Sequence, residues 1–255
     1  MSKPIVVAAS RGVGLKDFLP EGTRVSITGG GSIDQLKQEA MYLLPSSLGS
    51  KRYHIYFLCG IPDITKFERK FNEHYKECVY LEEPSVTSER YLAKLKNCQS
   101  FFVERGALPI FCTIPKVLLA KYNLFRLLSG KTASLRLTEQ YAKMQENLNL
   151  AIDIINNSIY QLNNKVKAST PFLHTTIREQ RGCKGKRYTA YRWEKLYDGL
   201  HATEGLRPVW AECLSKAMRM NSLLEDSDSE GEDSSFKRPS GGWLSSTKRP
   251  AEEME

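Results

Sequence analysis

The sequence predicts a three-layer α/β/α sandwich around a five-stranded parallel sheet. Two observations carry this. Short apolar runs alternate with longer amphipathic ones, and those short runs are apolar on both faces, as strands covered on two sides must be. A third fits them: 255 residues with 41% hydrophobic content suffice for one sizeable core.

The strand candidates are "PIVVAAS" (4–10), "RVSIT" (24–28), "HIYFLC" (54–59), "LPIFCTI" (108–114) and "TPFLHTT" (170–176). Helix candidates span 33–44, 87–105, 134–166 and 203–220, with a short helical turn after the first strand. This succession predicts flavodoxin-like strand order. In the third helix candidate, apolar residues recur at 137, 141, 144, 148, 152, 155, 159, 162 and 166. Steps of three and four would suit a coiled-coil seam. Its place between two strands favours a crossover helix packed on the sheet.

One domain is expected over 1–221. From Ser222 to Glu255 the chain is rich in Ser, Asp, Glu, Gly and Pro, and this tail is expected to be disordered. The tail holds four basic residues against nine acidic ones, net −5; the overall +8 therefore leaves +13 on the body. A basic body suits a polyanion partner or a solvated surface. Six cysteines are scattered without a C-x-x-C pair, which reads as free thiols in a reducing compartment, with no zinc site. No run reaches signal-peptide or membrane-spanning length, so a cytoplasmic or nuclear protein without membrane contact is expected.

Two motifs fail. "SGKT" at 129–132 lacks the glycine of a phosphate loop, since position 125 is Phe; "RGVGLKD" lacks a third glycine, since position 17 is Asp. His54 and His74 have no partners at metal-ligand spacing.

Ligands of an open parallel sheet bind beyond the carboxyl ends of its strands. Ser10 follows the first strand, "TGGGS" (28–32) the second, "CGIPD" (59–63) the third, and "DGLH" (198–201) comes before the final helix. A serine, a histidine to accept its proton, an acid to orient the histidine and glycine turns to offer N–H groups make the inventory of acyl transfer. Separately, each block has a plainer use: Ser10 in a turn, Asp198 as a helix cap, Ser32 as the cap of its own helix.

In this chain order the four blocks resemble the SGNH, or GDSL-like, hydrolase family over roughly residues 4–220. The strongest match is "DGLHATEGLRPVWAECL". The resemblance implies an esterase cleaving an acetyl or short-chain ester. Ser10 would be the nucleophile, His201 the base and Asp198 its orienting acid. Ser10, Gly30 and Gly60 would stand at the oxyanion, with Gly29 or Gly31 as alternatives to Gly30. No metal or organic cofactor is implied. Two blocks depart from the pattern: Ala8-Ala9 replace Gly-Asp before Ser10, and Pro62 replaces the Asn that donates to the oxyanion. Proline has no donor, and losing one oxyanion donor typically costs about 10²–10³ in rate.

"REQRGCKGKRYTAYRWEK" (178–195) interleaves cations with aromatics just before Asp198. Lys184, Lys186, Arg187, Tyr188 and Arg192 are candidate contacts to nucleic acid or an acidic substrate, on a loop expected to border the site. Domains similar to this family also occur beside nucleic-acid functions in some retroelements and viruses. The competing reading is therefore a non-catalytic binding module for nucleic acid or a protein partner.

Overall fold

The computed structural model describes residues 4–46, 53–69, 76–131, 138–183 and 186–230. Four parallel strands form the central sheet: β1 (Ile5–Ala9), β2 (Arg24–Thr28), β3 (Tyr53–Leu58) and β6 (Ala107–Phe111). Their order is β2-β1-β3-β6. That is the flavodoxin-like order with its fifth strand missing. Between β3 and β6 come α2 (Ile61–Ile64), the hairpin β4 (Lys66–Arg69) and β5 (Lys76–Val79), and α3 (Pro84–Val103). The remaining elements are α1 (Ile33–Leu43), α4 (Leu119–Leu128), α5 (Thr138–Lys165), the hairpin β7 (Arg178–Cys183) and β8 (Lys186–Tyr191), and α6 (Arg207–Glu230).

Successive side chains of a strand point to opposite faces. Ile5, Val7, Ile55, Phe57 and Phe111 therefore enter one core with α1, α3 and α5, while Val6, Ala8, Tyr56, Leu58 and Ile110 enter the other with α6. Three layers result, as the apolar runs predict. The apolar stripe of α5 does pack on the sheet: Tyr141, Leu148, Ile152, Ile155, Ile159 and Leu162 are buried in the first core. Trp210 of "VWAECL" is fully buried in the second, its indole donating to Thr176 Oγ1 at 2.8 Å.

The expected fifth strand is not one. Pro171 has no N–H to give a ladder. Its carbonyl accepts from Thr113 N and Oγ1, both at 3.1 Å, and the chain then coils into a 3₁₀ turn at Leu173–Ile177. Two asparagines of α5 serve the open edge instead. Asn163 bonds both the N–H and the carbonyl of Phe111 (3.0 and 2.8 Å), and Asn156 does the same for Ile114 (2.6 and 2.9 Å). Each primary amide offers one acceptor and two donors, so it can imitate a neighbouring strand residue. Spaced seven apart, both lie on the same face of α5.

Three other expectations change. The helix candidate at 134–166 is helical over Thr138–Lys165, with 132–137 outside the described residues, and α4 forms from a stretch not expected to be helical. The final helix runs to Glu230, past the expected start of the tail at Ser222; residues 231–255, including both "KRP" clusters, lie outside the described residues. The expected basic loop is the antiparallel hairpin β7–β8, with Arg181 opposite Tyr188. Lys184, and the side chains of Lys186 and Arg187, lie outside the described residues, as does His74. Cys59, Cys78, Cys98, Cys112 and Cys213 are free thiols, and His54 is buried in β3. No described helix is long and apolar enough to cross a membrane.

Candidate active site

Ser10 opens a 3₁₀ turn directly after β1, at the carboxyl edge of the sheet. Asp198 and His201 sit in the turn before α6. The Asp198 carboxylate is almost fully buried, and its Oδ1 accepts from the backbone N–H groups of Leu200 (2.9 Å) and His201 (2.8 Å). Its Oδ2 lies 2.6 Å from His201 Nδ1, and His201 Nε2 lies 2.9 Å from Ser10 Oγ. A hydrogen-bonded chain therefore runs unbroken from acid to hydroxyl. Burial works to raise the Asp198 carboxyl, but the bonds from His201 and Leu200 outweigh it and hold it below the usual carboxylate range. An ionised Asp198 fixes the proton on Nδ1, which leaves Nε2 to accept from Ser10.

Glycine is required in the turn that presents His201. Gly199 has φ +88°, and a Cβ there would meet the Leu118 carbonyl oxygen at 2.6 Å. Its own carbonyl accepts from Leu118 N at 2.8 Å, locking the turn to the start of α4. Tyr197 stacks on the His201 ring with centroids 5.7 Å apart.

In the sequence, nothing beyond its place next to Ser10 signals a role for Arg11. It is buried; its Nε donates to the Leu200 carbonyl (3.2 Å) and its Nη1 to the Pro115 carbonyl (3.0 Å). One guanidinium thus ties the Ser10 turn to the His201 turn and to the segment after β6. Burial pulls its pKa down to about 9, with the Asp198 charge acting in the opposite direction. Arg11→Met would leave two buried carbonyls without donors. It is expected to lower stability by about 2–3 kcal/mol in urea unfolding, and Arg11→Lys, which can serve one carbonyl, by less.

The glycine turns divide. Gly30 (φ +67°) lines a cavity of about 340 Å³ together with Ser10, Arg11 and His201. Gly60 is buried and does not line it; with φ +126°, a Cβ there would strike Ile114 Cδ1 at 2.3 Å. Gly60 therefore serves the tight turn into α2, and its carbonyl accepts from Asp63 and Ile64 N–H. Pro62 lines the cavity, in the first turn of α2. Asp63 faces away from this chemistry: it accepts from Ile33 N at 2.9 Å and pairs with Lys94 at 3.2 Å, joining the "GIPD" turn to the start of α1. Ser32 caps α1 in a capping box with Gln35. Among the described residues of 178–195, none lines the cavity; Arg178 instead meets Asp153 at 3.3 Å, in a separate cleft.

Three solved structures share this arrangement of layers. An assigned acylhydrolase of Bacteroides fragilis aligns with TM-score 0.52 at 11% identity, covering 88% of both chains. A GDSL-like lipase of Bacteroides thetaiotaomicron aligns with TM-score 0.51 at 9% identity, covering 89% of both. An assigned SGNH hydrolase of Slackia heliotrinireducens aligns with TM-score 0.50 at 11% identity, covering 85% of this chain and 98% of that one. The fold is that of the SGNH hydrolases. No family model and no curated protein matches the sequence. At identities this low the likeness is one of SGNH architecture, so the reading of the site rests on its own geometry.

Proposed function

We propose that this SGNH-fold chain is a serine esterase that cleaves an O-acyl ester through Ser10, His201 and Asp198. The observation that carries the reading is the acid–histidine–serine chain at 2.6 and 2.9 Å. Residues 191 positions apart meet in hydrogen-bonding order, at the sheet edge where such folds bind ligands. Ser10 Oγ attacks the ester carbonyl as His201 Nε2 takes its proton. Asp198 stabilises the resulting imidazolium. The backbone N–H groups of Ser10 and Gly30 stabilise the oxyanion; Pro62 adds no donor. His201 returns the proton to the leaving alcohol, and water then repeats the sequence to release the acid. Fluorophosphonate labelling tests the reading. Mass should be added at Ser10 in wild type and lost in His201→Ala; an unlabelled Ser10 in folded protein would reject it.

A second reading rests on β7–β8, where Arg181 and Tyr188 are exposed and Arg192 follows. Cations beside exposed rings suit single-stranded nucleic acid. A gel shift that weakens steeply with salt, and weakens further when Lys184, Lys186 and Arg187 become alanine, would support it. Salt-insensitive binding would count against phosphate contact.

A further inference from the structure

Beyond Ser10, Arg11, Gly30 and His201, the cavity is lined mostly by apolar groups: Leu58, Ile61, Pro62, Phe67, Cys78 and Tyr122, with Thr65 among them. Phe67 and Cys78 are directly opposite residues of the β4–β5 hairpin, so they share one face. Asn123 of α4 holds that hairpin in place, bonding both the N–H and the carbonyl of Cys78 at 2.9 and 2.7 Å.

Polar groups of these walls are largely engaged. Thr65 Oγ1 donates to the Ile61 carbonyl at 2.7 Å. Arg11 is tied to two carbonyls through Nε and Nη1, while its buried Nη2 has no hydrogen-bond partner among the described residues and sits beside the Ser10 turn. Burial pushes the Cys78 thiol up to about 11, so it stays neutral at physiological pH. What the walls leave for a ligand is mainly apolar contact, with Ser10, His201 and the Arg11 Nη2 donor as the polar groups.

A methylene is close in size to a water molecule, whose share of liquid volume is about 30 Å³, so the cavity has room for about ten such groups. With the ester head at Ser10 occupying part of that space, the geometry points to an acyl pocket for an uncharged chain of about six to eight carbons. This deepens the esterase reading and rests on it. It also departs from the acetyl or short-chain ester that the family resemblance implies: an acetyl group would leave most of the cavity unfilled.

The test is a series of p-nitrophenyl esters from acetate to decanoate, turned over by wild type, Ser10→Ala, Cys78→Phe and Phe67→Trp. Each buried methylene should raise kcat/KM about fourfold, giving about two orders of magnitude between acetate and hexanoate, with no further gain past about eight carbons. In Cys78→Phe, which fills the pocket, the hexanoate-to-acetate ratio should fall towards unity. Phe67→Trp, at a half-exposed position, should lower the same ratio and covers the case in which Cys78→Phe does not fold. Turnover that needs Ser10 but is flat or falls with chain length would overturn the pocket and leave the esterase reading intact. If no ester is turned over, calorimetric titration of wild type decides. Hexanoate ester binding at least tenfold tighter than acetate, and weakened in Cys78→Phe, supports the pocket; equal binding overturns it.

Discussion

Ser10→Ala and His201→Ala are each expected to lower kcat for ester hydrolysis by about 10⁴-fold or more, and the double variant to lose no more than either single one. Groups that act as one unit do not add: without the hydroxyl the base has nothing to activate, and without the base the hydroxyl stays protonated. Asp198→Asn should leave more activity than either, because it disturbs the tautomer and its charge without removing base or nucleophile. Stopped-flow release of p-nitrophenol, with thermal melts to show that every variant is folded, measures all four. Multiplying losses in the double variant would show two independent contributions and break the proposed relay. Rates in all four variants equal to that of wild type would leave the 2.9 Å contact between His201 and Ser10 as structure without catalysis.

Pro62→Asn should act in the opposite direction, raising kcat about 10- to 100-fold with little change in KM. Pro62 lines the cavity in the first turn of α2. A missing N–H is tolerated at such a position, so the substitution disturbs no helical hydrogen bond. Asparagine there would restore a side-chain donor where the oxyanion forms, and one donor is worth about 10²–10³ in other acyl-transfer sites. The smaller expectation reflects a donor introduced without partners to orient it. The gain must vanish in the Ser10→Ala background. An unchanged kcat would mean that position 62 does not face the oxyanion, or that backbone N–H groups already saturate it.

Much of the candidate site was legible because chemistry at a sheet edge is tied to chain order. Each strand is a short run with a visible end, so Ser10, Gly30 and the "GIPD" turn can be placed from strand ends alone, and D-x-x-H before a helix completes the set. Gly60 shows the limit of that method. Its position in sequence matches an oxyanion block, yet its special φ serves a turn packed on Ile114 and Tyr91. Arg11 shows another limit: its partners are carbonyls 189 and 104 positions away, and a carbonyl leaves no trace in sequence. The fifth strand failed for a reason that was partly visible, since "TPFL" carries a proline and "IINNSIYQLNNK" places asparagines on the apolar face of a helix.

What the sequence by itself determined is local and periodic. Alternating faces set β1, β3 and β6 between two cores, a 3.6-residue stripe laid α5 on the sheet, and the end of the first strand placed Ser10 at the sheet edge. What only the tertiary structure decided depends on partners distant along the chain. Asn156 and Asn163 stand in for a strand at the edge of β6, Arg11 joins two turns, and the paired strands β4 and β5 bring Phe67 and Cys78 to the wall of the cavity. The reason is physical: periodicity reports which face of an element is buried, but not which distant group satisfies a backbone donor or closes a cavity.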